Sequence, residues 1–171
     1  MMINNAQKFL PVVGLLLFTV SCAGQKVQSG AYNLMLKTAL SHSVNEISVD
    51  SLQKVQDEVI LLDARSPEEY KVSHIKDARF VGYESFDSTA VAGLDKHQPV
   101  VVYCAVGYRS EKISEKLEEM GFTNISNLYG GIFEWKNQGQ TVVNENGPTD
   151  KVHAFNKTWG IWLRKGEKIY N

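Results

Sequence analysis

Short unbroken runs of apolar residues, separated by stretches with helical spacing, set the pattern of this chain. Val59-Ile-Leu-Leu-Asp63 places four apolar residues in succession, and Val100-Val-Val-Tyr103 does so again just after Pro99. Runs this short and this rich in β-branched and aromatic residues predict strands buried on both faces, as in a parallel sheet. Shorter runs at 47–49, 78–81 and 125–128 predict three more strands. Between them the period lengthens. Over residues 110–120, Ile113, Leu117 and Met120 form one helical stripe, and Gly121 stands at its C-terminal stop. Ser66-Pro-Glu-Glu69 predicts a helix start, with an N-cap serine, proline at the first helical position and glutamate at the third. Asp50 or Ser51 is expected to cap a short helix through residue 55. A helical piece is expected over 88–94, and a Gly130-Gly131 turn leads into a short helix over 132–137 that carries Trp135. Strands alternating with helices over residues 44–143 predict an α/β domain with a central parallel sheet flanked by helices.

The two ends follow different patterns. Lys8 and the amino terminus precede an apolar run from Leu10 to Val20. A membrane-spanning helix needs about twenty apolar residues, and this run is shorter and broken by Pro11 and Gly14. It fits the hydrophobic stretch of a secretory signal peptide over residues 1–21. The segment Thr19-Val-Ser-Cys22-Ala-Gly resembles the lipobox of bacterial lipoproteins, with Thr19 standing where that pattern prefers leucine. The resemblance implies lipid on Cys22, which would hold the protein at a membrane surface without spanning it. The alternative is an ordinary signal cleavage nearby. Residues 22–43 read as a small, polar tether followed by a short helix containing Leu34, Met35, Leu36, Ala39 and Leu40. At the other end, Val152, Phe155, Trp159 and Trp162 fall on one helical face. They predict a C-terminal helical extension over 144–171 that packs its aromatic stripe on the domain, although Gly160 weakens a helix there.

Composition narrows the function. At 43% hydrophobic and 22% charged residues, the chain can bury a core without disulfide staples. A net charge of −1 with no basic run argues against nucleic acid as a partner. Of the two cysteines, Cys22 is the expected lipid site at the start of the tether, which leaves Cys104 for the domain. Cys104 directly follows the strongest strand, and residues 105–109 then lead into a helix. In open α/β sheets ligands bind at the carboxyl ends of the strands. Unpaired N–H groups and the positive end of the helix dipole favour an anion there, and with it the nucleophilic thiolate of Cys104.

Three blocks, in order, carry a family resemblance. Leu61-Leu-Asp-Ala-Arg-Ser-Pro-Glu-Glu-Tyr70, continued by Ser73-His-Ile75 and Asp77-Ala78, resembles the opening signature of rhodanese-like domains. Val101-Val-Tyr-Cys-Ala-Val-Gly-Tyr-Arg-Ser110 resembles their active-site loop, and residues 121–135 resemble their closing segment. Ser73 replaces the usual glycine before the histidine, and Ala64 a common valine. The resemblance implies a sulfurtransferase. Cys104 would be the catalytic residue, taking a sulfane sulfur from thiosulfate or a persulfide and passing it to cyanide or a thiol. Ala105, Val106, Gly107, Tyr108 and Arg109 would form the substrate-binding loop, and Asp63 and Arg65 would brace it. Arg109 either draws in an anionic donor or pairs with a neighbouring carboxylate. His74 is expected to be structural. Histidines 42, 97 and 153 lack metal-ligand spacing, and neither a metal nor a cofactor is expected. The expected partner is a small sulfur-containing anion or a protein persulfide.

Loop length separates the nearest enzymatic rival. Phosphatases that share this fold use a loop one residue longer between cysteine and arginine. The four residues between Cys104 and Arg109 suit a single sulfur atom better than a tetrahedral phosphate. A rival of another class is an envelope persulfide carrier or binding module with little turnover of its own. A redox role for a lone thiolate is a third reading, disfavoured because the domain has no resolving cysteine.

Overall fold

The computed structural model describes residues 27–170. The expected signal segment and Cys22 lie outside the described residues. Five strands form the expected central parallel sheet: β1 (Glu46–Ile47), β2 (Ile60–Asp63), β3 (Arg79–Phe80), β4 (Val100–Tyr103) and β5 (Ile125–Leu128), in the order β1-β5-β4-β2-β3. β4 lies at the centre, paired with β2 (Asp63 opposite Tyr103) and with β5 (Val102 opposite Asn127). All four of its residues are buried, which explains a run with no polar alternation.

Successive side chains of a strand point to opposite faces, and each face has its own cluster. Leu61, Val101, Tyr103 and Leu128 pack with α1 (Gly30–Ala39), α2 (Val49–Val55) and α5 (Gly131–Asn137). Leu62, Val100, Val102 and Ile125 pack with Ile113 and Leu117 of α4 (Tyr108–Glu119). Between β2 and β3, α3 (Pro67–Val72) starts on a complete capping box: Ser66 Oγ accepts from the Glu69 N–H, and the Glu69 carboxylate accepts from the Ser66 N–H.

Several boundaries differ from expectation. Ser48, not Asp50 or Ser51, caps α2, because its side chain accepts from the Ser51 N–H. Residues 88–94 hold only a 3₁₀ turn, Ser88–Val91, closed on the Asp87 side chain. The helix after Cys104 begins at Tyr108 rather than 110, since Gly107 serves as its N-cap. Nor does the core stop at residue 44. Val27, Tyr32, Leu36 and Leu40 are buried in the same cluster as Val101 and Tyr103, so the segment expected to be a tether and short helix packs on the sheet. α1 starts at Gly30 behind a Ser29 cap, four residues before the first apolar residue counted in its pattern.

The C-terminal extension is not one helix. Residues 142–149 form an antiparallel hairpin of β6 (Val142–Asn144) and β7 (Gly147–Thr149). Then β8 (Lys151–His153) and β9 (Glu167–Ile169) pair in parallel across a loop that carries only the four-residue helix α6 (Lys157–Gly160). Three of the four residues expected on one helical face therefore sit in different environments. Val152 is in a strand, Phe155 has a φ of 63°, and Trp162 lies beyond α6 and stacks on Tyr32 at 5.2 Å between ring centroids. Long-range pairing of β8 with β9 outweighed the local helical period. A Cβ at Gly160 would lie 2.5 Å from the Tyr170 hydroxyl, so a larger residue there would displace that exposed side chain. Asn137 fastens the loop to α5: its amide donates to the Trp162 carbonyl at 2.8 Å, and its oxygen accepts from the Arg164 N–H at 2.7 Å. Val152, Ala154 and Leu163 are wholly buried in the first cluster.

Candidate active site

Cys104 follows β4 directly and is 1% exposed. Its Sγ accepts from the Gly107 N–H at 3.1 Å. The following peptide unit is anchored separately, through the Gly107 carbonyl. It accepts from the Glu111 N–H at 3.0 Å, from the Asn127 amide at 2.9 Å and from the Ser110 hydroxyl at 3.1 Å. The two successive peptide units can be set this way because Gly107 has a φ of 123°, a region that residues with a Cβ rarely adopt. With Gly107 as N-cap, the N–H groups of the first turn of α4 lack intrahelical acceptors and add the positive end of the helix dipole.

Two further carbonyls at the loop are also tied back. Cys104 O accepts from the Ile132 N–H at 2.9 Å and Ala105 O from the Phe133 N–H at 3.1 Å, both at the start of α5. This requires glycine at 131, where a Cβ would overlap Cys104 O and lie 2.6 Å from Ala105 O. Glycines 130 and 131, expected to turn the chain near the loop, thus bring one helix end against its backbone. Trp135, expected to be a core contact, is buried and donates its indole N–H to Thr141 O at 2.9 Å.

Arg109 lies in a two-point ion pair, with its terminal nitrogens 2.7 and 2.8 Å from the two carboxylate oxygens of Glu69. Of the two roles open from sequence, the carboxylate partner is the one seen, and it is the glutamate of the capping box. Burial pushes the Glu69 carboxyl up, but the hydrogen bonds and charge of Arg109, with the charge of Arg65 behind, hold it below its ordinary value. Burial pulls the Arg109 guanidinium down, yet Glu69 and then the Cys104 sulfur together raise it. A second face of Arg109 is covered by the Phe155 ring, whose centroid is 5.1 Å away.

Asp63 and Arg65 form a wholly buried pair beside β4. Arg65 Nη2 donates to Asp63 Oδ2 and to the Ser73 carbonyl, both at 2.6 Å, and Nε reaches Asp63 Oδ1 at 3.0 Å. Burial alone would lower the Arg65 guanidinium, but the adjacent Asp63 charge raises it. Neither residue lines the cavity at Cys104. His74 stacks on Tyr70 at 3.9 Å between centroids, with Nδ1 3.1 Å from Tyr70 O, in a separate cleft.

Cys104 opens into a cavity of about 410 Å³. Ala105, Val106, Tyr108 and Arg109 of the expected loop line it, whereas Gly107 stands behind the sulfur. Three further wall residues come from outside the loop: Ala39 at the end of α1, and Phe155 and Trp159 of the extension. Sequence reasoning placed Phe155 and Trp159 in packing. Trp159 does pack partly against the first cluster, but Phe155 is 48% exposed. Asn127 was missed too, and its signal was a wholly buried amide inside the apolar strand Ile125-Ser-Asn-Leu128.

Comparison with known proteins agrees with this fold. The family described as Rhodanese-like domain matches residues 48–138, more than half of the chain. A sulfurtransferase of Allochromatium vinosum is 34% identical over 107 residues, covering 61% of this chain and 99% of that protein. A thiosulfate sulfurtransferase of Coxiella burnetii is 29% identical over 93 residues, covering 54% and 85%. A tRNA uridine(34) hydroxylase of Hamiltonella defensa is 30% identical over 134 residues. That match covers 75% of this chain but 34% of the relative, so the chain spans about a third of its length. Among solved structures, a rhodanese-related protein of Thermoplasma volcanium superposes with a TM-score of 0.54 at 27% identity, covering 60% of this chain and all of that one. A thiosulfate sulfurtransferase of Pseudomonas aeruginosa shares the fold, with a TM-score of 0.55 at 21% identity, over 78% of this chain and 26% of that one. The chain belongs to the family of rhodanese-like domains.

Proposed function

We propose that the protein is a sulfurtransferase that carries a sulfane sulfur on Cys104 as a persulfide. The observation that carries this reading is a cysteine sulfur lining a cavity, with a backbone N–H donating to it and the neighbouring carbonyls tied away from it. The Cys104 thiolate attacks the outer sulfur of a donor such as thiosulfate. A new S–S bond forms, the donor's own S–S bond breaks, and sulfite leaves with the electron pair. The resulting persulfide is an anion whose terminal sulfur can take the free N–H groups of the loop. An acceptor, cyanide or a thiolate, attacks that terminal sulfur and restores the Cys104 thiolate. Two half-reactions through one covalent intermediate give ping-pong kinetics.

Ala105 to Tyr108 leave a loop one residue short of the phosphatase pattern, which favours sulfur over phosphate as the group transferred. The hydroxylase named among the relatives is matched over only about a third of its length, so its activity is not carried over to this chain. For location, the pattern around Cys22 supports a lipid-anchored protein of the bacterial cell envelope that faces the periplasm. Partition into membranes, lost in Cys22→Ser, is the expected result.

The catalytic reading is tested by whole-protein mass spectrometry. After mixing with thiosulfate, the protein should gain the mass of one sulfur. Cyanide should discharge it as thiocyanate, and Cys104→Ser should show neither step. Loading only from another protein's persulfide would make it a carrier instead. Hydrolysis of an aryl phosphate without any sulfur loading would overturn both.

A further inference from the structure

We infer that Phe155 and Trp159 make the site selective for a sulfane sulfur carried on an apolar, ring-sized organic body rather than on a small inorganic anion. This inference rests on the reading of Cys104 as a sulfur carrier and narrows its substrate class.

Three observations lead there. First, the cavity holds about 410 Å³, within the range of about 300–1,000 Å³ common for sites that take organic molecules. Thiosulfate would leave most of it to water.

Second, the charge is wrong for a free dianion. Among the described lining residues Arg109 is the one cation, and both of its terminal nitrogens are engaged by Glu69 at 2.7 and 2.8 Å. Its exposed face is covered by Phe155. A dianion entering here would give up its hydration against an already neutralised pair. The loop N–H groups suit a single negative sulfur, and the rest of the wall suits apolar surface.

Third, Phe155 is held in a conformation that packing does not explain. Its φ is 63°, uncommon for a bulky residue. The Asn156 N–H donates to Ala154 O at 2.8 Å across it, and its own N–H donates to His153 Nδ1 at 3.1 Å. These bonds make a tight turn that points an aromatic ring outward, over Arg109 and beside Cys104, while leaving it about half exposed. Backbone strain of this kind gathers at ligand-binding positions. Asn156 then caps α6, accepting from the Trp159 N–H at 3.0 Å, and so sets the second ring of the same wall.

Benzenethiosulfonate and methanethiosulfonate carry the same sulfane sulfur and charge but differ in the size of the apolar body. In each case the Cys104 thiolate attacks the outer sulfur, the bond to the sulfonyl sulfur breaks, and the sulfinate leaves with the electron pair. Cyanide then removes the sulfur as thiocyanate. The readout is the ratio of kcat/KM for the phenyl donor over the methyl donor, measured on the full chain. In the wild-type protein this ratio should exceed about tenfold, a difference of about 1.4 kcal/mol. It should fall toward one in Phe155→Asn, where asparagine tolerates the positive φ, and in Trp159→Leu, whose melting temperature is checked alongside. A wild-type ratio near one overturns the inference, as does a high ratio that neither variant lowers. Faster loading from a protein persulfide than from either donor would place a macromolecule at this wall and overturn it too. If neither donor leaves a sulfur on Cys104 while thiosulfate does, the inference fails and the sulfurtransferase reading stands; if thiosulfate and a protein persulfide fail as well, the sulfurtransferase reading itself fails.

Discussion

The loop at Cys104 and the wall opposite it are built by different means. The loop is short, contiguous and defined by its backbone: glycine at 107, three acceptor bonds on the Gly107 carbonyl, and α5 pressed against Cys104 O and Ala105 O. The wall is assembled from side chains far apart in sequence. Ala39 comes from before the sheet, and Phe155 and Trp159 from after it, with the extension held by Asn137 and the β8–β9 pair. Arg109 joins the two, since it ends the loop, pairs with Glu69 and lies under Phe155. The backbone cradle and the side-chain wall are thus separable, and the wall can change without disturbing the cradle.

The sharpest way to break the loop side is Gly131→Ala. A Cβ at φ 56° overlaps two backbone carbonyls that have no freedom to move. The expected cost is at least about 4 kcal/mol of stability in a denaturant melt, with sulfur loading lost in whatever folds. A cost under about 1 kcal/mol would mean that α5 does not hold the loop.

On the wall side, Leu163→Ala asks whether the extension is core or appendage. Leu163 is wholly buried, so the cost should be about 3 kcal/mol. An unchanged melting temperature would show the extension to be only loosely attached.

Glu69→Gln tests the link between them. It leaves Arg109 half-buried without its carboxylate, at a cost of about 2 kcal/mol, below that of a fully buried pair. The pH dependence has a definite sign. The Glu69 carboxyl lies below its ordinary value of 4.5 in the folded protein. Its contribution is therefore complete above that value and is lost as pH falls through the lower, folded value. The wild-type melting temperature should drop more steeply in that acid window than that of Glu69→Gln. Parallel curves would remove the pair from the stability account.

The smallest effect is expected from Asn127→Ala, about 1–2 kcal/mol for lost buried hydrogen bonds. Its more telling readout is a slower first half-reaction, because the loop would lose one of the three anchors on the Gly107 carbonyl, next to the N–H that faces the sulfur. Normal loading kinetics would show that Ser110 and Glu111 suffice.

The sheet was legible because its evidence is local. Four apolar residues before Asp63 and four residues around Val102 have no other economical burial, and the Ser66 capping box specifies a helix start within four residues. The helix over 110–120 was legible from its stripe, but its start was read two residues late because a glycine N-cap has no side-chain signature. The extension misled for the opposite reason. Val152, Phe155, Trp159 and Trp162 keep helical spacing, yet β8 finds its partner fourteen or more residues away, and that pairing is invisible to a local period.

By itself the sequence determined the parallel strands, the cysteine at the end of β4 and the four-residue spacing from Cys104 to Arg109, since each depends on neighbours within a few positions. Only the tertiary structure decided that Asn127 anchors the Gly107 carbonyl, that Glu69 rather than a free anion holds Arg109, and that Phe155 and Trp159 line the cavity at Cys104. Those are contacts between residues tens of positions apart, set by which surfaces had to be buried together.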